Sequence, residues 1–219
     1  MRSQGDKMTL NEKFDSYEHI LREWNTKINL VASSTLDDIR GRHILDSAQL
    51  AEYIPHVARA NHGVQVIDLG SGAGFPAVIL AILGFDVIAI ESITKKCVFL
   101  EELKYRFSLP HLQVKNNRIE AVLRENLNQD YKKIVFTARA FASLLKIFGL
   151  TFHIPGEYVL LKGASVKEEI AAAGQKYDFD YELFPSKTGS GYILRVKNLK
   201  KKTCKKPRFL SKKPGITHR

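Results

Sequence analysis

The chain is predicted to fold as an α/β protein: a mostly parallel, seven-stranded sheet with helices on both faces, preceded by a helical extension. Three observations carry this. From residue 64 onward, short β-branched runs alternate with helix-patterned segments, which implies repeated β-α units. The first run ends in a glycine turn, Asp68-Leu-Gly-Ser-Gly-Ala-Gly-Phe-Pro76. The last two runs are joined by a link too short for a crossover, which forces them to pair antiparallel. With 219 residues, the chain is long enough for one sizeable core.

Residues 1–60 form the extension. Thr9-Leu-Asn-Glu12 is a capping box. Behind it, Phe14, Tyr17, Ile20, Leu21, Trp24 and Ile28 recur at helical spacing, and Asn25 and Asn29 flank the helix end. Ser34-Thr-Leu-Asp37 is a second cap signal, opening a helix to about Tyr53 with Leu36, Ile39, Ile44, Ser47 and Leu50 on one side. The sheet domain is expected over 61–198. Strand 64–69 leads to helix 76–83, where Pro76 suits the first turn and Gly84 stops the run. Strand 86–91 leads to helix 94–107, with Val98, Leu103 and Phe107 expected inward. Strand 112–116 leads to a short helix near 118–126, and the polar loop Asn126–Asp130 precedes strand 133–138. Helix 142–149, strand 157–162 and a helix from Ser165 to Ala173 follow. Strands 177–184 and 191–197 close the domain through Pro185 and Gly189–Gly191, which is hairpin chemistry. From 199 the density of lysine, with Pro207 and Pro214, predicts a mostly unstructured basic tail.

Charge divides the chain. Of the +11 net charge, all sits at the C-terminal end: Arg195 to Arg219 hold eleven Lys or Arg and no Asp or Glu, so the first 194 residues are formally neutral. Such an end is either a solubilising tail or a sequence-independent grip on phosphates. Cys97 and Cys204 are too few and too far apart for a disulfide framework or a zinc site. No apolar run reaches the ~20 residues that span a bilayer, and no leader segment is visible. These features lead to the expectation of a cytoplasmic, metal-free monomer.

In open α/β sheets the ligand lies beyond the carboxyl ends of the strands, where strand order reverses. Gly70, Gly72 and Gly74 let the chain bend sharply and approach a ligand closely. Glu91, at the end of the second strand, can accept from the two ribose hydroxyls of a nucleoside. The glycine pattern is not the dinucleotide G-x-G-x-x-G, and no Gly-Lys-Ser/Thr follows. The turn therefore favours S-adenosylmethionine over NAD, because the former has no pyrophosphate to cradle. A parallel sheet with one antiparallel hairpin strand at its far edge resembles the class I methyltransferases. After strand four the chain reads Thr137-Ala-Arg-Ala-Phe-Ala-Ser-Leu144, with no Pro-Pro-aromatic loop of the exocyclic-amine methylases. Cys97 lies in an apolar helix and is read as packing, so the cysteine nucleophile of pyrimidine carbon-5 methylation is missing. Guanine N7 needs neither nucleophile nor strong base, and alignment alone would serve it.

Four motifs carry a closer resemblance: Asp68–Pro76, Arg139-Ala-Phe-Ala-Ser-Leu144, Leu161-Lys-Gly163 and His43-Ile-Leu-Asp-Ser47. Together with Trp24-Asn25…Asn29-Leu30, they resemble the bacterial small-subunit ribosomal RNA methyltransferase G family, also called glucose-inhibited division protein B, over roughly residues 10–198. The resemblance implies methylation of guanine N7 in 16S ribosomal RNA, with adenosylmethionine as donor and ribosomal RNA or the small subunit as partner. It also implies that Gly70 and Phe75 contact the cofactor, that Ile119 and Glu120 reach its adenine end, and that Arg139 stands beside the cofactor and substrate pocket. Gly72 and Glu91 join the set on the physical argument above. No residue is assigned as an acid, base or nucleophile. His43, Asp46 and Ser47 belong to the family signature with helix packing and capping as their expected role, and Lys162 is open between facing RNA and structure. The family commonly has Thr where this chain has Val31. Two other classes stay open: a small-molecule or protein methyltransferase on the same fold, and a non-catalytic RNA-binding assembly protein.

Overall fold

β1 (Val64–Leu69) is buried along its whole length, because parallel neighbours flank it on both sides: β2 (Asp86–Glu91) and β4 (Lys133–Arg139). The computed structural model describes residues 8–55, 63–125, 133–189 and 191–203. With β3 (Leu112–Asn116), β5 (Glu157–Lys162), β6 (Tyr177–Pro185) and β7 (Tyr192–Lys201), the sheet has seven strands in the order β3-β2-β1-β4-β5-β7-β6. β1 to β5 run parallel, and β7 is antiparallel to both β5 and β6. The antiparallel strand is thus the penultimate one, inserted between β5 and β6, rather than the edge strand the hairpin suggested. Strand order reverses between β1 and β4, which puts the switch point directly above the glycine turn.

Two apolar layers cover the sheet. One packs α1 (Leu10–Asn25), the segment from 33 to 52, α3 (Ala77–Ile82) and α4 (Thr94–Arg106) around Tyr17, Leu21, Ile44, Leu80 and Phe99. The other packs α5 (Ile119–Val122), α6 (Leu144–Thr151) and α7 (Val166–Gly174) around Phe136, Phe148 and Tyr158. The capping box of α1 forms as expected, with Thr9 and Glu12 bonded reciprocally. Pro76 precedes α3 as its N-cap, and the Phe75–Pro76 peptide is cis.

Three expectations change. The helix from Ser34 is not one α-helix: it runs as a 3-10 turn (Ser33–Asp38), a π turn (Arg40–Leu45), a short α2 (Asp46–Ala48) and a second 3-10 turn (Gln49–Glu52). The apolar spacing explains this. Ile39 and Ile44 are both buried and stand five apart, a spacing that a π register brings to one face and an α register does not. Ser34 caps nothing; Thr35 Oγ1 bonds the Ala32 carbonyl instead. On α4 the buried stripe is Cys97, Leu100 and Leu103, with Phe99 beside it, so Val98 faces solvent and is 53 % exposed. Finally, β7 continues to Lys201. Lys200 and Lys197 stand opposite Asp178 and Asp180 of β6, and Arg195 opposite Glu182. Cross-strand charge pairing keeps this lysine-rich stretch in the sheet, so part of the basic surplus is matched by β6 carboxylates. The loop Asn126–Asp130, Cys204 and the rest of the tail lie outside the described residues. Among the described residues, no helix is long and apolar enough to cross a membrane, and no cluster of three or more His, Cys, Asp or Glu could hold a metal.

Candidate functional site

The glycine turn is fixed to the end of β2. The N–H groups of Gly70 and Ser71 both donate to the Ile90 carbonyl at 3.0 Å, and Gly72 N–H donates to Glu91 Oε2 at 2.9 Å. The other Glu91 oxygen accepts from Ile93 N–H at 2.9 Å. One carboxylate therefore staples the turn after β1 to the turn after β2, and each oxygen keeps a lone pair for a further donor. Gly70 has φ +75° and sits against the Phe141 ring, 2.5 Å from where a Cβ would stand. Gly72, at φ +53°, meets nothing closer than 3.9 Å on that side. The first glycine makes room for protein, and the second leaves a cradle for a ligand.

Above this turn opens a cavity of about 540 Å³, within the range of small-molecule sites. Gly70, Gly72, Phe75, Glu91, Ile119, Glu120 and Arg139 all line it. The structure thus brings every predicted site residue to one space, although they come from four separate turns. Leu30 and Val31 form the opposite lip, positioned by Asn25, whose Oδ1 accepts both their N–H groups at 3.0 Å. Lys96, Arg118 and Lys146 add positive charge around the walls.

At one end stands Arg139, at the tip of β4. Its Nη2 donates to His43 Nδ1 at 2.5 Å, its Nε lies 3.7 Å from Asp46 Oδ2, and its guanidinium covers the Phe75 ring at 5.6 Å. Because a guanidinium only donates, His43 Nδ1 must be unprotonated. The ring proton is then on Nε2, which donates to Thr35 Oγ1 at 2.8 Å. Burial, then the Arg139 charge, lowers the His43 pKa to about 4, so the ring is neutral near pH 7. Phe75 stacks with this imidazole and with Tyr17, ring centroids 5.1 Å apart in each pair. Asp46 Oδ1 accepts from Gln49, Ser186 and Thr188 at 2.8 to 3.1 Å, which ties the arginine support to the β6–β7 link. The 43–47 signature thereby gains a purpose beyond helix packing: His43 and Asp46 bracket Arg139. Ser47 does keep the packing role, since its hydroxyl bonds the His43 carbonyl one turn back.

Asp68 lies fully buried under the turn. Burial pushes its pKa up to about 6 against the hydroxyls of Ser71 and Thr137, which favour the charged form; Thr137 Oγ1 donates at 3.1 Å. Cys97 packs as expected, with its thiol on the Glu91 carbonyl at 3.3 Å, and burial raises its pKa. Lys162 is locked away from solvent. Its side chain is 7 % exposed and its Nζ donates to Glu169 Oε2 at 2.7 Å and to the Ala142 carbonyl at 2.9 Å. The structural alternative is the one the contacts support. Spacing gave no sign of three residues: His43 and Asp46 as supports of Arg139, and Tyr17 behind the turn.

A sheet in the order β3-β2-β1-β4-β5-β7-β6, with a glycine turn and a strand-end carboxylate at the switch point, defines the class I methyltransferase fold. The solved structure of an O-methyltransferase from Bacillus cereus in complex with SAH shares it, with a TM-score of 0.55 at 14% identity over 84% of this chain and 91% of that one. The chain itself belongs to the GidB family, rRNA small subunit methyltransferase G, whose model matches residues 10–189. The ribosomal RNA small subunit methyltransferase G of Rickettsia prowazekii is 38% identical over 194 residues, covering 87% of this chain and 95% of the relative. The protein of the same name from Rickettsia typhi matches to the same extent.

Proposed function

We propose that this chain transfers the methyl group of S-adenosylmethionine to N7 of a guanine in 16S ribosomal RNA. The observation that carries the reading is the convergence of the whole predicted residue set on one cavity above the glycine turn, in a chain of this family. The residues fit the cofactor. The open side of Gly72 and the Gly70–Phe75 turn would hold its amino-acid end, Glu91 its ribose hydroxyls, and Ile119 and Glu120 its adenine. Bound there, the cofactor supplies an activated methyl group on a sulfonium.

What this chain adds is alignment. Guanine N7 carries a lone pair and loses no proton on methylation, so the reaction asks for no general base. Three titratable side chains around the turn are committed elsewhere: both His43 nitrogens are engaged and the ring is neutral, Asp68 is buried on Thr137, and Cys97 bonds a backbone carbonyl, while the cavity carboxylates Glu91 and Glu120 are read as cofactor contacts. Arg139, held by His43 and Asp46, lies at one end of the cavity, and in this reading that is the end the acceptor enters. A fixed guanidinium there orients the acceptor, and in-line approach at about 3–3.5 Å supplies the rate. Acting on ribosomal RNA, the protein would work in the cytoplasm, and a monomer is the reading in keeping with a cavity lined by residues of one chain. Leu30, Val31, Thr35 and His43 bring the N-terminal extension into the cavity wall, and the basic segment from 199 would serve as a non-specific hold on RNA phosphates.

Incubation with labelled adenosylmethionine and small-subunit ribosomal RNA lacking the modification tests this. Label is expected on RNA, with binding that weakens as salt rises by a log–log slope of about −0.7 to −0.9 per phosphate contacted. Label confined to protein or to a small molecule would overturn the reading.

A further inference from the structure

Tyr17 lies on α1, far in sequence from the glycine turn, and does not line the cavity. It is fully buried, and its hydroxyl donates to the Ala73 carbonyl at 2.5 Å. Its ring stacks on Phe75 at 5.1 Å with an interplanar angle of 11°. Between these two contacts sits Gly74, at φ +86°, where an added Cβ would fall 2.5 Å from the Tyr17 oxygen. One side chain thus touches three consecutive residues of the turn from behind, while Ala73 and Phe75 face the cavity in front. Burial raises the phenol pKa well above its usual value, so the hydroxyl stays a donor over the whole working range.

We propose that Tyr17 is a positioning residue for the cofactor: its bond to Ala73 and its stack on Phe75 hold the second half of the glycine turn in the curvature that receives the ligand. The inference rests on reading the cavity as an adenosylmethionine site. It makes helix α1 part of the binding apparatus rather than a cover for the sheet. Gly70 and Gly72 are tied to β2 by their own N–H bonds, but left without the Tyr17 backing the second half of the turn, with Gly74 at a left-handed φ, has wider backbone freedom that the ligand must order on binding. A turn already held pays no such cost, and removing the hold weakens affinity without touching the reacting atoms.

The test compares Tyr17→Phe with Trp24→Phe in the full chain. The first removes the hydroxyl and keeps the stack. The second removes an equivalent bond from the same helix, Trp24 Nε1 to Glu102 at 3.0 Å, away from the turn. S-adenosylhomocysteine binding is measured by calorimetry, KM and kcat by methyl transfer, and amide exchange across Gly70–Phe75 without ligand. Tyr17→Phe is expected to weaken binding and raise the cofactor KM by about fivefold, the net effect of one hydrogen bond. kcat at saturation should be kept, and exchange in the turn should quicken. Trp24→Phe should leave binding unchanged even if it melts earlier. Equal affinity in Tyr17→Phe and the unmodified chain would overturn the proposal, as would an equal loss in both variants. An unmodified chain that binds no S-adenosylhomocysteine would overturn the cofactor reading itself and, with it, this inference.

Discussion

Arg139 and Lys162 end neighbouring parallel strands, and in sequence each looks like a basic residue poised at a ligand-binding edge. The structure separates them. Arg139 is bracketed by a neutral imidazole and a carboxylate that is itself shared among three other donors, and its guanidinium lines the cavity. Lys162 gives its charge to Glu169, whose Oε2 also accepts the Leu144 N–H at 2.6 Å and so anchors the start of α6. The end of β4 is built to hold a cation in place with donors to spare, and the end of β5 is built to use one up. Position at the strand end does not decide function; what the neighbours leave uncommitted does.

The largest effect should come from Arg139→Ala. If the guanidinium orients the acceptor as proposed, losing this preorganised donor is expected to lower kcat by about a hundredfold, read by methyl transfer, with little change in the unfolding midpoint. Arg139→Lys should recover little of it, because an ammonium cannot replace a planar fork held on two sides. Lys162→Met should invert the pattern. It leaves Glu169 without its buried partner and is expected to cost about 2 kcal/mol in urea unfolding, while S-adenosylhomocysteine affinity stays unchanged. A variant of Lys162 that lost affinity but not stability would erase the distinction.

A subtler pair of effects concerns acid. His43 has a folded pKa of about 4 against 6.5 unfolded, so its contribution is fully present above about 6.5 and is lost as pH falls toward 4. Asp68 runs the other way. Raised from 3.8 to about 6, it favours the folded state below 3.8, and that support is lost as pH rises through 6. The two oppose each other across one pH window. Relative to the unmodified chain, Asp68→Asn should therefore have its largest stability deficit near pH 4, shrinking by roughly 2 kcal/mol at pH 7. His43→Gln should show the opposite trend. Urea titrations at the two pH values measure both.

Much of this was legible beforehand. The strands were readable because parallel, doubly covered strands need unbroken β-branched runs, and the site was readable because a close approach to ligand leaves glycine as the residue of choice. What was hidden depended on partners distant in sequence. Nothing near Tyr17 tells that its hydroxyl meets Ala73, and nothing near His43 tells that Arg139 donates to it. Val98 reads as inward in sequence, but the phase of α4 is set by distant partners, with Phe99 meeting Tyr17 and Trp24 of α1. The end of β7 is hidden because lysine density looks like solvent until the carboxylates of β6 stand opposite.

The most direct measurement of the central claim is mass mapping of 16S ribosomal RNA fragments, from cells with and without this protein. The account predicts one guanine carrying a methyl group at N7 only when the protein is present, and its loss in Arg139→Ala. Identical maps from both cells, or a methyl group at another atom of the base, would contradict it.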